Sequence, residues 1–108
     1  MDYLKYFEKA IIYIENNLKE DISVNDVAKE SGYSYYHLTR LFKSMFGESV
    51  GSYIKKRRLV NSSKELLYSD KKVIDIAIDS GFESSEAFSR AFKAIYKVSP
   101  IENIEKIE

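Results

Sequence analysis

The stretch SVGSYIKKRRLVNSSKELLY, residues 49–68, organises this chain. It contains no proline, carries its one glycine in the first turn and is rich in Lys, Arg, Glu and Leu, which predicts a continuous helix of about five turns. At about 100° per residue, Val50 and Ile54 share one side, whereas Leu59 and Leu66 lie on nearly the opposite side. The stretch is therefore predicted to serve two hydrophobic cores and to link two small subdomains over about 30 Å.

The sequences on either side of this stretch are copies of each other. Residues 70–96 repeat residues 21–46 with one additional residue in the turn, and ten positions are identical in a single register. Each copy has a short amphipathic segment, a Gly and a longer amphipathic segment, which is the pattern of a helix-turn-helix. A plain helical hairpin has the same local pattern, and the duplication favours the helix-turn-helix. The identical pairs are Asp21/Asp70, Val24/Val73, Asp26/Asp75, Ala28/Ala77, Ser31/Ser80, Gly32/Gly81, Ser34/Ser84, Arg40/Arg90, Phe42/Phe92 and Lys43/Lys93.

We therefore predict an all-α fold of about seven helices, with two helix-turn-helix subdomains joined by a long linker helix. The predicted boundaries are residues 1–48, 49–68 and 69–108. Ser23 and Ser34 are predicted to cap helices that stop at Gly32 and Gly47. A first helix over residues 3–19 would bury one apolar stripe. The residues predicted to face the cores are Leu4, Phe7, Ile11, Ile14, Leu18, Leu38, Leu41, Phe42, Met45, Phe88, Ala91, Phe92 and Ile95.

Composition limits the possible functions. The chain has no Cys and a single His, His37, and no acids cluster on a common helix face. We therefore expect neither an enzyme nor a metal or cofactor site. Neither a signal peptide nor an apolar run long enough to span a bilayer is present, so a cytoplasmic protein is expected.

The charge is zero overall but unevenly distributed. Residues 34–72 contain nine Lys and Arg against three Asp and Glu, whereas the segments before and after each have four against seven. A segregated charge produces a local positive field even when the total vanishes. Solvated helix faces without a partner would also show such a pattern.

The longer segment of each copy has a polar face with matched cations. Arg and Lys occupy the same two positions in both copies. An α-helix fits the major groove, where Arg can donate two hydrogen bonds to guanine, and Lys suits phosphate as a point charge. We therefore favour DNA binding over two ordinary wetted faces. The polar faces consist of Tyr36, Thr39, Arg40 and Lys43, and of Glu86, Ser89, Arg90 and Lys93.

The basic run Lys55-Lys56-Arg57-Arg58 is not a single stripe. At helical spacing its four side chains point in four directions, so at most two can face a duplex together. At least one is expected to pack its stem against a subdomain and pair with an acid. Lys55 and Lys56 are the candidates for phosphate contacts, together with Lys43 and Lys93.

The chain resembles the DNA-binding domain of the AraC/XylS family of bacterial transcription regulators over about residues 4–100. The resemblance rests on GYSYYHLTRLFKSMFGESVGSYI, on RLVNSSKELL and on VIDIAIDSGFESSEAFSRAFKAIYKVSP. It implies two helix-turn-helix motifs set in adjacent major grooves on one side of the DNA. It also implies activation through RNA polymerase rather than repression. The positions that would read bases are Tyr36, Thr39, Arg40, Ser85, Glu86, Ser89 and Arg90.

Two departures from the family pattern accompany the resemblance. Lys97 replaces the usual Gly, and Asn103 and Ile104 replace the usual Tyr-Arg after Pro100, so the last helix is expected to be short. Glu86 places an acid on the reading face, where it would either accept a hydrogen bond from cytosine N4 or repel phosphate.

The function predicted from the sequence is a sequence-specific regulator that binds double-stranded DNA as a monomer. Because Met1 lies close to the first helix, we expect either a stand-alone regulator or an effector-binding domain after Glu108. A protein-interaction module is the alternative from another class. The target sequence, the regulated genes and the effector do not follow from the sequence.

Overall fold

In a computed structural model of the protein, the described residues are 3–100, and they form six α-helices without a β-strand. The predicted all-α class is confirmed. The short seventh helix expected after Pro100 lies outside the described residues. The helices are α1 (Tyr3–Asn16), α2 (Val24–Ser31), α3 (Tyr35–Phe46), α4 (Val50–Tyr68), α5 (Val73–Asp79) and α6 (Ser85–Tyr96).

The chain divides into two compact units, Met1–Arg57 and Arg58–Glu108, each with its own hydrophobic core. In the first unit, the rings of Phe7 and Phe42 lie 5.1 Å apart between centroids. In the second, Phe88 and Phe92 lie 5.8 Å apart. Tilted rings at these separations add to the free energy gained by burying their surface.

Helix α4 contributes to both cores, as its changing apolar face predicts. Val50 and Ile54 are buried in the first core, whereas Leu59 and Leu66 are buried in the second. Ser62 is also fully buried, and its hydroxyl donates to the Leu59 carbonyl at 2.7 Å. This bond within the helix satisfies the only polar group that the serine brings into the core.

The helix-turn-helix of the first unit has the predicted caps. The Ser23 hydroxyl accepts from the Asp26 N–H at 3.1 Å, and the Asp26 carboxylate accepts from the Ser23 N–H at 2.9 Å, which completes a capping box. Gly32 follows α2 at φ 87°, and the ring of Tyr6 covers it. A left-handed residue costs least as glycine, so the tight turn requires this residue. Ser34 then caps α3 by accepting from the His37 N–H.

The second unit repeats this arrangement with two changes at its helix ends. Lys72 stands where the first unit has Ser23, and no side chain caps α5 there. Ser84 caps α6 as Ser34 caps α3. Lys97 ends α6 at φ 65°, the left-handed conformation that Gly47 adopts after α3. Lys97 thus replaces glycine in sequence but retains its backbone conformation.

Helix α1 ends three residues earlier than the sequence predicts. The Asn17 side-chain amide donates to the Tyr13 carbonyl at 2.8 Å, and the Asn17 N–H donates to the Ile14 carbonyl at 3.1 Å. The side chain thereby satisfies a carbonyl that has lost its helical partner, and the chain turns after Asn16.

Three residues predicted to be buried are exposed. Leu4 is 71% exposed, Met45 51% and Ile95 48%, so their assignment to the cores is wrong. Leu4 lies in the first turn of α1. Met45 and Ile95 lie in the last turns of α3 and α6, where the next residues, Phe46 and Tyr96, make the contacts with the cores instead. The apolar period identifies a face of a helix, but it does not show how far the core extends along that face.

Candidate nucleic-acid interface

Helix α3 buries two residues on one side and presents a polar face to solvent on the other. Leu38 and Phe42 are fully buried, which fixes the rotation of the helix about its axis. Tyr36, Arg40 and Lys43 are consequently exposed. The three predicted residues lie at spacings of four and three, which places them on one side of the helix.

Two of these side chains contact each other. The guanidinium carbon of Arg40 lies 5.4 Å from the centroid of the Tyr36 ring, and that ring is 68% exposed. A cation over an aromatic face at this distance is attracted by the ring quadrupole. The contact limits the positions available to the guanidinium before any ligand is bound.

Thr39 has a hydrogen bond that the sequence does not reveal. Its hydroxyl bonds to the backbone carbonyl of Tyr35, one turn earlier in α3. Because a carbonyl only accepts, the hydroxyl must be the donor and its single proton is used. Thr39 is half-buried, with its γ-methyl and the oxygen lone pairs as its remaining groups.

A shallow concavity of about 380 Å³ lies along this face. Two of its lining residues, Tyr35 and Ser49, were not predicted. Tyr35 is the first residue of α3, directly after the Ser34 cap. Its position beside the cap is the feature of the sequence that could have indicated it as a lining residue. Ser49 lies before α4, and its hydroxyl accepts from the Ser52 N–H at 3.1 Å. The lining residues are Tyr35, Tyr36, Thr39, Arg40, Lys43 and Ser49.

Helix α6 repeats the anchors and the cations of α3. Phe88 and Phe92 are fully buried, and Arg90 and Lys93 are exposed. Glu86 is exposed in the first turn, where the positive end of the helix dipole favours a carboxylate. The predicted residues Ser85 and Ser89 are half-buried. All four predicted reading residues of α6 lie within its first two turns.

The basic run of α4 separates into two exposed and two half-buried side chains. Arg57 binds Glu15 of α1 through two nitrogens, at 2.9 and 2.7 Å, which confirms that one cation of the run pairs with an acid. The guanidinium of Arg58 packs over Gly81. Lys55 and Lys56 remain exposed, as candidates for phosphate contacts.

Lys56 already has an acidic partner. Its ammonium lies 3.2 Å from the Glu48 carboxylate, which also accepts from the Ser52 hydroxyl at 2.9 Å. The hydrogen bond from Ser52, with the nearby Lys56, lowers the pKa of Glu48 below its ordinary value. Lys56 is thus partly neutralised in the free protein.

Within residues 3–100, no helix combines the length and apolarity needed to cross a bilayer. In the same part of the chain, no three His, Cys, Asp or Glu side chains are grouped as ligands for a metal ion.

Comparison with known proteins shows the family. The family described as "Helix-turn-helix domain" matches residues 27–105. The chain is 40% identical over 92 residues to the HTH-type transcriptional activator AarP of Providencia stuartii, covering 85% of this chain and 68% of AarP. The chain belongs to the AraC/XylS family of helix-turn-helix DNA-binding domains. The AraC-type DNA-binding-domain regulator of Chromobacterium violaceum has a similar crystal structure, with a TM-score of 0.89 and 28% identity over 94% of this chain and 90% of that one.

Some AraC/XylS relatives are considerably longer than this chain. It is 46% identical over 100 residues to the uncharacterised HTH-type regulator YbfP of Bacillus subtilis. That match covers 93% of this chain but 34% of YbfP, so the chain spans about a third of the length of this relative.

Proposed function

We propose that the protein binds a specific double-stranded DNA site and regulates transcription, with α3 and α6 entering successive major grooves. The observation that carries the proposal is the repetition of exposed cations on two matched helices. Arg40 and Lys43 on α3 correspond to Arg90 and Lys93 on α6, and all four are exposed. Membership of a family of DNA-binding domains supports the same function.

The proposed interface divides into contacts that read bases and contacts that hold the backbone. Arg40 and Arg90 would each donate two parallel hydrogen bonds to O6 and N7 of a guanine. Lys43 and Lys93 would neutralise phosphates and fix the register without reading sequence. Lys55 and Lys56 are the additional candidates for phosphate, with Lys56 exchanging Glu48 for the DNA.

The remaining proposed reading residues give the two helices different chemistry. Tyr36 and Thr39 lie beside Arg40, whereas Ser85, Glu86 and Ser89 accompany Arg90. Glu86 would accept a hydrogen bond from cytosine N4. Without such a donor in the groove, its carboxylate would only repel phosphate. The two halves of the site are therefore expected to differ in sequence.

At the level of the whole regulator, we propose transcriptional activation through RNA polymerase by a monomer on the cytoplasmic nucleoid. The activator AarP, with which the chain shares 40% identity, supports activation. In this proposal residues 49–68 act as the linker between subdomains at residues 1–48 and 69–108. Regulation rather than catalysis is the expected activity.

Selection of bound sequences from random duplex DNA tests the proposal. A specific regulator should enrich one sequence with two unlike halves, and its affinity for that site should fall steeply with salt. A protein-interaction module would enrich no sequence. Binding to DNA without enrichment of a sequence would show that the protein binds DNA only electrostatically, and it would contradict the proposed sequence-specific function.

A further inference from the structure

We propose that α3 recognises a thymine through the methyl group of Thr39, beside the base contacted by Arg40. The inference rests on the proposed DNA-binding function and names the base that the first reading helix selects. Its structural basis is the hydrogen bond between Thr39 and Tyr35.

The hydroxyl of Thr39 is unable to donate to a base while this bond is present. A threonine hydroxyl has one proton, and the carbonyl of Tyr35 accepts it. Donation to O6 or N7 of guanine, or to O4 of thymine, would require breaking the bond within the helix. The γ-methyl is available to a base without that cost.

The surroundings of Thr39 favour an apolar contact. The Thr39 side chain shares a concavity with the rings of Tyr35 and Tyr36, both of which are exposed. In the major groove, the C5-methyl of thymine is the apolar group that base edges present. Burying that methyl against the Thr39 methyl and an aromatic ring removes apolar surface from water on both sides.

Arg40 adds a constraint that places the thymine next to a hydrogen-bonding base. Its guanidinium is held at 5.4 Å from the ring of Tyr36, and Thr39 is its neighbour in sequence. The N–H groups of Arg40 would pair with one base while Thr39 and Tyr36 contact the methyl of the adjoining one. The first half-site should therefore contain a thymine beside the base read by Arg40.

The test replaces individual thymines of the selected site by deoxyuridine, which lacks the methyl group but pairs with adenine in the same way. We expect one such replacement in the half bound by the first unit to weaken binding about fourfold, the effect of exposing one methyl group. Two variants at one position separate the methyl from the hydroxyl. Thr39→Val retains a methyl and should discriminate thymine from deoxyuridine about as strongly as the unchanged protein. Thr39→Ser retains the hydroxyl but lacks the methyl and should discriminate between them less than the unchanged protein.

The opposite ranking would overturn the inference, with Thr39→Ser behaving like the unchanged protein and Thr39→Val losing affinity. A selected site without thymine in the first half, or without any effect of deoxyuridine there, would overturn it as well. In each of these cases selection of a specific sequence would still support the proposed function. Failure to select any sequence would contradict both the proposed function and the proposed thymine contact. Circular dichroism of both variants checks that the overall helical content is unchanged.

Discussion

At the residue scale, Arg40 is the side chain that we expect to contribute most to reading a base. It is exposed on a helix anchored by buried residues, it is oriented by Tyr36, and α3 contains no acid. We expect Arg40→Ala to cost roughly 1–3 kcal/mol of binding free energy and to relax the preference at one base pair. Gel shifts on the selected site and on variants of that base pair measure both effects.

Arg40→Lys is the matched control for this prediction. It retains the positive charge but loses the planar fork that makes two parallel hydrogen bonds. The lysine variant should therefore recover part of the affinity without recovering the base preference. Unchanged affinity and preference in a folded Arg40→Ala protein would show that Arg40 does not read DNA.

Lys43 should behave differently from Arg40. Replacing Lys43 by Ala is expected to weaken binding to all sequences alike and to lower the magnitude of the salt slope by about one, since one phosphate contact is lost. Lys93→Ala should do the same in the second half. Affinities measured over a series of salt concentrations supply the slope, and a changed base preference in Lys43→Ala would contradict the separation of phosphate contacts from base contacts.

The sequence identified which side chains share the polar face of α3 but not how they are paired. Periodicity places Tyr36, Thr39 and Arg40 together because the helix repeats every 3.6 residues. It does not reveal that the Thr39 hydroxyl is occupied, or that Lys56 is held by Glu48. Such pairings depend on side-chain rotamers and on neighbouring backbone, which a pattern of residue types does not encode.

At the element scale, the ends of α3 and α6 offer a matched pair of substitutions. Gly47 after α3 and Lys97 after α6 both adopt the left-handed conformation, at φ 72° and 65°. A side chain in this conformation is strained. We expect Lys97→Gly to raise the free energy of unfolding by roughly 0.5–1 kcal/mol, and Gly47→Ala to lower it by about 1 kcal/mol.

Urea denaturation of both variants measures these changes. A Cβ at Gly47 would meet no atom within 4 Å, so Gly47→Ala reports the backbone conformation without a steric clash. Lys97→Gly also loses the hydrogen bond from the Lys97 ammonium to the Ala94 carbonyl, which is exposed and contributes little. A loss of stability in Lys97→Gly would show that this bond outweighs the backbone strain.

The capping box of α2 should make the first unit sensitive to acid. The backbone N–H of Ser23, followed by its hydroxyl, lowers the pKa of Asp26 below its ordinary value of 3.8. A carboxyl group with a lowered pKa stabilises the fold above that ordinary value, and its contribution disappears as the pH falls through the lowered one. Asp26→Asn should therefore lower stability at neutral pH and reduce the further loss below about pH 4. Thermal denaturation across this range provides the comparison, and parallel curves for both proteins would argue against the linkage.

Helix bounds followed from the sequence where a cap or a glycine defines them. Ser34 and Gly47 delimit α3 as predicted because each residue satisfies or accommodates the backbone at a helix end. The end of α1 was predicted wrongly, since the apolar stripe continues to Leu18 beyond the helix itself. Leu18 is nevertheless buried. The pattern of buried residues therefore continues beyond the end of the helix that was predicted from it.

At the scale of the whole molecule, the internal duplication determines how the protein is expected to meet DNA. Most helix-turn-helix proteins reach two grooves by dimerising, which makes their operators palindromic. Here one chain contains both helix-turn-helix motifs in the same order along the sequence. We therefore predict a monomer bound to a site without two-fold symmetry, with two direct half-sites about one helical turn apart. The spacing follows from α4, whose 19 residues extend about 30 Å at 1.5 Å per residue, close to the 34 Å turn of duplex DNA.

The two halves should also contribute unequally to affinity. Helix α3 has Arg40 and Lys43 without an acid, whereas Glu86 offsets one of the two cations of α6. Because backbone contacts dominate the affinity for DNA, the first half should be held more tightly. Sedimentation of the complex counts the bound chains. Methylation interference compares how strongly a methylated base weakens binding in each half of the site. Two chains on a palindrome would overturn the monomeric arrangement. Equal interference in both halves would overturn only the ranking.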